Sequence, residues 1–197
     1  MTGAERPRVG TRDIEDLRGT FLGAADQDEL LAVQTECTVA YTSREGWPAA
    51  VVMSFLRRDG RFWLTAVAGR DHLESLRADP RLTLVVDNRG TGLPGRRMVA
   101  VQGAVTVHED RATKDWFYPA FAQRMAADDP AAFVRLLDSP RRAVLEVTPT
   151  GRQKSHDSRK IAGDGRGGPA RSSPANRVSG RADRDLPPEA GRHTQER

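Results

Sequence analysis

The chain has 197 residues, room for one domain of ordinary size. Its 31 basic and 27 acidic residues give a net charge of +4 with no sustained basic run, which argues against nucleic acid as a partner. The single cysteine, Cys37, excludes an internal disulfide and a cysteine zinc site and fits a reducing cytoplasm.

Residues 1–11, MTGAERPRVGT, read as a flexible N-terminus without the apolar region of a secretory signal. Residues 12–35 read as helix in two pieces. Asp26 or Asp28 is placed to cap the second, with Leu30, Leu31 and Val33 on its apolar side. The stretch TVAYTSREGWPAAVVMSFLRRDGRFWLTAV follows as strand, turn, strand, turn, strand. Its turns SREG and RRDG are too short for a parallel crossover, so the strands are expected to be antiparallel. Residues 70–78 predict a short helix with Leu73 and Leu76 facing inward, stopped by Pro80.

RLTLVVDN is the next strand, NRGTGLPG a loop, and RRMVAVQGAVTVHED a long strand in which Gly103 predicts a bulge or bend. Two helices separated by DDP follow, the first carrying Trp116, Phe117, Ala120, Phe121 and Met125 on one side despite Pro119. RRAVLEVTP is the last strand, leading into the polar segment GRQKSHDSRK. Residues 161–197 contain no aromatic residue and only Ile161, Val178 and Leu186 as large aliphatics. Such a tail buries too little apolar surface to offset its ordering entropy, and it reads as disordered. The expected fold is mainly β: a six-stranded antiparallel barrel with added α-helices over residues 12–160. No apolar run approaches the roughly 20 residues of a membrane span.

Familiar catalytic templates are absent: no HExxH, GxSxG or Walker loop occurs. Histidines 72, 108, 156 and 193 lack metal-ligand spacing, so no metal is expected, and His108 reads as a solvated strand-end residue. Thr65 and Arg70 are more informative. A hydroxyl at a strand end, a forked cation five residues on and a helix start make an anion cradle. The competing reading is a Thr–backbone hydrogen bond and a solvent-facing arginine.

Three segments, ELLAVQTECTVAYTSREGWPAAVVMSF, DGRFWLTAVAGRDHLESLRADPRLTLVV and RRMVAVQGAVTV, occur in an order that resembles the pyridoxamine 5′-phosphate oxidase-like family over roughly residues 28–160. The closing VLEVTPTGRQKSHDSRK is similar to that family's last strand and ending. The resemblance implies a split β-barrel homodimer that binds FMN or the deazaflavin coenzyme F420 at the subunit interface and acts on a small-molecule substrate. It implies phosphate contacts at Thr65 and Arg70, ring contacts at Met53, Ser54 and Phe55, a partner-closed wall near Arg97 and Met98, and a terminal lysine at Lys160. The vitamin-forming oxidases themselves carry Arg and Lys on the strand that here reads AAVVMSFL, and an Arg–Lys pair where this chain has Arg70–Asp71. The expected activity is therefore hydride transfer by the cofactor within the deazaflavin-type branch, with no side-chain acid or base required. A non-catalytic cofactor-binding or storage protein is the alternative, and an interaction module with a basic tail is a third reading.

Overall fold

A computed structural model describes residues 19–161. These fall into a unit from Thr20 to Asp157 and a flanking piece comprising Gly19 and residues 158–161. The expected flexible residues 1–11, the first helical piece before residue 19, and the tail from 162 onward lie outside the described residues.

The main unit is a single curled antiparallel sheet with four helices. In chain order the elements are α1 (Ala24–Val33), β1 (Glu36–Thr42), β2 (Pro48–Ser54), β3 (Leu56–Arg58), β4 (Arg61–Val67), α2 (Asp71–Ala78), β5 (Arg81–Asp87), β6 (Arg97–His108), α3 (Arg111–Arg124), α4 (Pro130–Leu137) and β7 (Arg142–Asp157). The strand order across the sheet is β2-β1-β5-β6-β7-β4-β3, so β2 and β3 are its two edges. The flanking piece contains a 3₁₀ turn, Ser158–Lys160, whose Ser158 carbonyl accepts from the Ile161 N–H.

Seven strands stand where six were expected, because Phe55 interrupts what reads as one continuous arm. Its side chain is fully buried against Phe62, with ring centroids 5.6 Å apart, and its N–H is donated to the Thr35 carbonyl. One residue thus leaves the ladder to enter the core, and the chain passes from one sheet edge to the other. Both hairpin turns use left-handed backbone: Gly46 has φ +82°, and Asp59 with Gly60 has φ +52° and +73°.

The inner face follows the period of two: Cys37 and Val39, Leu82, Leu84 and Val86, and Val99 and Val101 point inward. Leu73 and Leu76 of α2, Leu30 and Leu31 of α1 close this core, while Val33 is exposed. Burial pushes the Cys37 thiol up to about 12, leaving it an inert small hydrophobe. α1 starts at Gly23 with no side-chain cap; Asp26 sits in its first turn instead of capping it.

On the outer face of β4 and β7, α3 and α4 build a second cluster from Phe117, Tyr118, Phe121, Leu137 and Val144. Asp110 and Asp129 cap these helices, accepting from the Thr113 and Ala132 N–H groups. Pro119 is accommodated inside α3. The last strand is longer than RRAVLEVTP, because the polar segment after it stays on the ladder against β6 to Asp157. An irregularity in that ladder falls at Gly103, as expected. Val101 pairs with Gln153 while Gly103 pairs with Pro149, so Thr150, Gly151 and Arg152 bulge opposite Gln102.

Candidate functional site

Where the curled sheet fails to close, edge strand β2 and the end of β4, beyond the reach of the short β3, border a groove of about 480 Å³. One wall is β2, from Val51 to Ser54; the other is the end of β4, Thr65 to Val67, with Arg70 and His72 beyond it. Phe121 of α3, Phe133, Leu136 and Leu137 of α4, and Arg142 at the start of β7 complete the lining. The groove therefore has an apolar flank, two guanidinium groups, an imidazole and no carboxylate.

The local chemistry of each wall follows from its element. Thr65 faces outward from β4 opposite Val144, and its hydroxyl donates to the Ala143 carbonyl at 2.9 Å. Its proton is thus engaged, and the residue lines the groove. Arg70 is the N-cap residue of α2, with extended backbone and an exposed side chain. The first N–H groups of that helix have no intrahelical acceptor. Glu74 reaches back to accept from the Gly69 N–H at 3.2 Å. Asp71, which sequence places beside the anion site, is exposed and does not line the groove. The His72 imidazole is held below its ordinary value, first by burial and then by the neighbouring Arg70 charge, with Asp71 opposing. At neutral pH it is an uncharged imidazole whose Nε2 is buried and lacks a hydrogen-bond partner.

Arg142 reaches the groove because β7 pairs with β4 in register, placing it opposite Val67. Its Nε is likewise buried without a partner. The preceding Arg141 spans the β4–α2 loop, donating from Nη2 to the Ala68 carbonyl at 2.8 Å, while Ala68 N–H donates to the Arg141 carbonyl at 2.7 Å. The two segments that carry Arg70 and Arg142 are therefore fastened together.

Of the residues singled out from sequence, Met53, Ser54, Thr65 and Arg70 line this one groove. Phe55 is in the core. Arg97 is only 3% exposed, and its Nη1 lies 2.5 Å from Glu29 and 3.7 Å from Asp26 of α1. Met98, half-buried, pairs with Asp87 and His156 across the ladder. Lys160 lies in the separate 3₁₀ turn. The NRGTGLPG loop, residues 88–95, is held by Asn88, whose Nδ2 donates to the Leu93 and Gly95 carbonyls. His108 is not a solvated residue. Its Nε2 is 2.7 Å from Glu146, and its ring lies 5.8 Å from that of Trp63. His72 and Arg142 escaped the sequence reading. The first is visible as a neighbour two residues past Arg70; the second depends on strand register, which no local pattern in RRAVLEV reveals.

A curled antiparallel sheet left open along one seam, with a groove in the seam, is the split β-barrel architecture. Residues 25–155 match the sequence profile of the Pyridoxamine 5′-phosphate oxidase family, and the chain belongs to that family. No curated protein matches the sequence. Among solved structures, the conserved hypothetical protein Rv2991 from Mycobacterium tuberculosis superposes with a TM-score of 0.62 at 21% identity, covering 74% of this chain and 91% of its own. A FAD-binding protein from Mesorhizobium loti gives 0.54 at 20% identity, covering 70% and 96%. An F420 reductase gives 0.51 at 20% identity, covering 64% and 94%. At these identities the likenesses establish the fold.

Proposed function

We propose that the protein is an FMN- or F420-dependent oxidoreductase that moves a hydride to or from a small molecule. The supporting observation is the seam groove, which gathers Met53, Ser54, Thr65 and Arg70 from two strands and a helix cap into one lining. The lining suits such a cofactor: an apolar flank for a ring system and cationic donors for a phosphate. Flavin-type and deazaflavin proteins among the structural relatives support the same reading.

When bound, the cofactor ring supplies the hydride chemistry. The chain binds and orients it. Arg70 provides a permanent forked cation for the phosphate. The Thr65 hydroxyl, released from Ala143, turns its proton toward the same anion. Met53 and Ser54 border the ring, and Phe121, Phe133 and Leu136 keep water from that flank. The reading includes a cytoplasmic homodimer in which β6 at the half-buried Met98 borders the second copy's site, with the buried Arg97 behind it as support. The outward face of β1, β2 and β5 supports dimerisation: Ala40, Ala50, Val52 and Val85 present small or apolar side chains, and Val52 is 63% exposed.

Fluorescence titration with FMN and with F420 tests the assignment. Arg70→Ala should weaken binding of the preferred cofactor by about 1.5–3 kcal/mol, the scale of a hydrogen bond to a charged group. Unchanged affinity would remove Arg70 from the site. Stoichiometric binding without reduction of any offered acceptor would identify the alternative, a cofactor-binding or storage protein.

A further inference from the structure

Among the described residues, arginines 57, 58, 61, 77, 81, 89, 97 and 111 form ion pairs with carboxylates. The groove differs: two more arginines and a histidine line it, and no Asp or Glu does. Five buried side-chain polar atoms among the described residues lack a hydrogen-bond partner, and two of them, His72 Nε2 and Arg142 Nε, belong to this lining. A buried polar atom without a partner is destabilising, and more so on a charged group such as the Arg142 guanidinium; His72 Nε2 is a donor in the tautomer that carries its proton there. Folding alone gives no reason to hold a guanidinium there. An oxyanion that arrives from outside supplies both the missing acceptor and the missing negative charge.

We propose that His72 and Arg142 are anion-contacting residues of the groove, which together with Arg70 hold the phosphoryl oxygens of the bound ligand. This rests on the cofactor reading above and extends it to two residues that the phosphate cradle of Thr65 and Arg70 does not include. The division of labour is physical. Arg70 is exposed and draws the anion in, where water and salt screen it. Arg142 and His72 present buried atoms, where each hydrogen bond to the phosphate is screened less. The fastening of residues 68 and 141 to each other keeps the two guanidinium groups on one scaffold.

The test uses the full chain, wild type against Arg142→Met and His72→Gln, with FMN, riboflavin and F420 as ligands and fluorescence as readout. Riboflavin has the ring without the phosphate; F420 has a phosphodiester in place of the monoester. Arg142→Met is expected to weaken FMN by about ten- to one-hundred-fold and riboflavin by less than threefold. His72→Gln acts in the same direction with a smaller loss. An F420 loss larger than the FMN loss would assign the diester as the anion held. Equal losses for FMN and riboflavin, or no loss, would overturn the proposal.

Thermal unfolding without ligand separates this from a structural role. Removing a half-buried guanidinium whose buried Nε has no partner should leave the melting temperature of Arg142→Met unchanged or raised. A marked drop would show that the guanidinium serves the fold, and would also overturn the proposal. If wild type binds none of the three ligands, the cofactor reading fails by itself. The melting shift in inorganic phosphate against chloride at equal ionic strength then decides the anion site. A phosphate-specific rise in wild type that Arg142→Met abolishes upholds it, and no such rise removes it.

Discussion

Arg97 carries a full charge into a nearly dry position, and its neighbours differ sharply in exposure. The guanidinium is 3% exposed, whereas its partner Glu29 is about half exposed. Removing Arg97 returns Glu29 to water; removing Glu29 leaves a buried cation whose nearer carboxylate is gone, with Asp26 at 3.7 Å. Glu29→Ala is therefore expected to destabilise by about 2 kcal/mol, and Arg97→Met by less, in urea unfolding. The reverse order would show that the pair's energy lies in packing of the arginine stem. His72 provides a second residue-scale expectation, in pH. Its folded-state affinity for a proton is depressed below the ordinary 6.5 of an unfolded histidine by burial and by Arg70. The unfolded chain thus binds the proton more readily, and the contribution is fully present above about pH 6.5. It is lost as pH falls from there through the lower folded value. His72→Gln should flatten that part of the urea-midpoint profile between pH 7.5 and 5; an unaltered slope would mean other groups set it.

Among the elements, β6 and β7 show how a single missing side chain shapes a sheet. A Cβ at Gly103 would lie 2.6 Å from Val147 Cγ1 and 3.1 Å from the Thr148 carbonyl. Val147 is fully buried and the carbonyl is main chain, so neither can yield. Gly103→Ala should cost about 1–3 kcal/mol, as overpacking does, and lower the melting temperature; a neutral effect would show that the bulge at residues 150–152 absorbs the methyl group. This glycine was legible in sequence because it breaks a long apolar alternation. So were α2, with Leu73 and Leu76, and the hairpins, with their glycines. The seat of α3 was not. Glu146 there accepts from Arg61 and contacts His108, Trp63 and Trp116 meet edge-to-face at 4.7 Å, and Arg58 stacks 4.5 Å over Trp116. Glu146, His108 and Trp63 come from three strands, and the pairing of β7 with both β4 and β6 brings them together beneath Trp116 of α3. The same limit hid Arg142, whereas Thr65 and Arg70, five residues apart, showed as a pair. Where a segment's role depends on its own pattern, reading it works; where it depends on another strand's register, local pattern is silent.

At the scale of the whole molecule, the sheet has one face turned to the core and, over β2, β1 and β5, another turned outward, where Ala40, Ala50, Val52 and Val85 stand between the charged Glu36, Arg81 and Asp87. Trp47, 75% exposed, stands at the hairpin tip of this face. If two copies meet here, Val52→Glu should leave each copy folded and shift the population to monomer in sedimentation velocity. An unchanged dimer would place the contact elsewhere. No helix among the described residues is long and apolar enough to cross a membrane. The two edge strands, β2 and β3, are successive stretches of one polypeptide joined at Phe55, whose ring is anchored in the interior. Prising the edges apart at that joint would drag the ring out of its seat, so the crossing from one edge to the other is pinned by a single side chain.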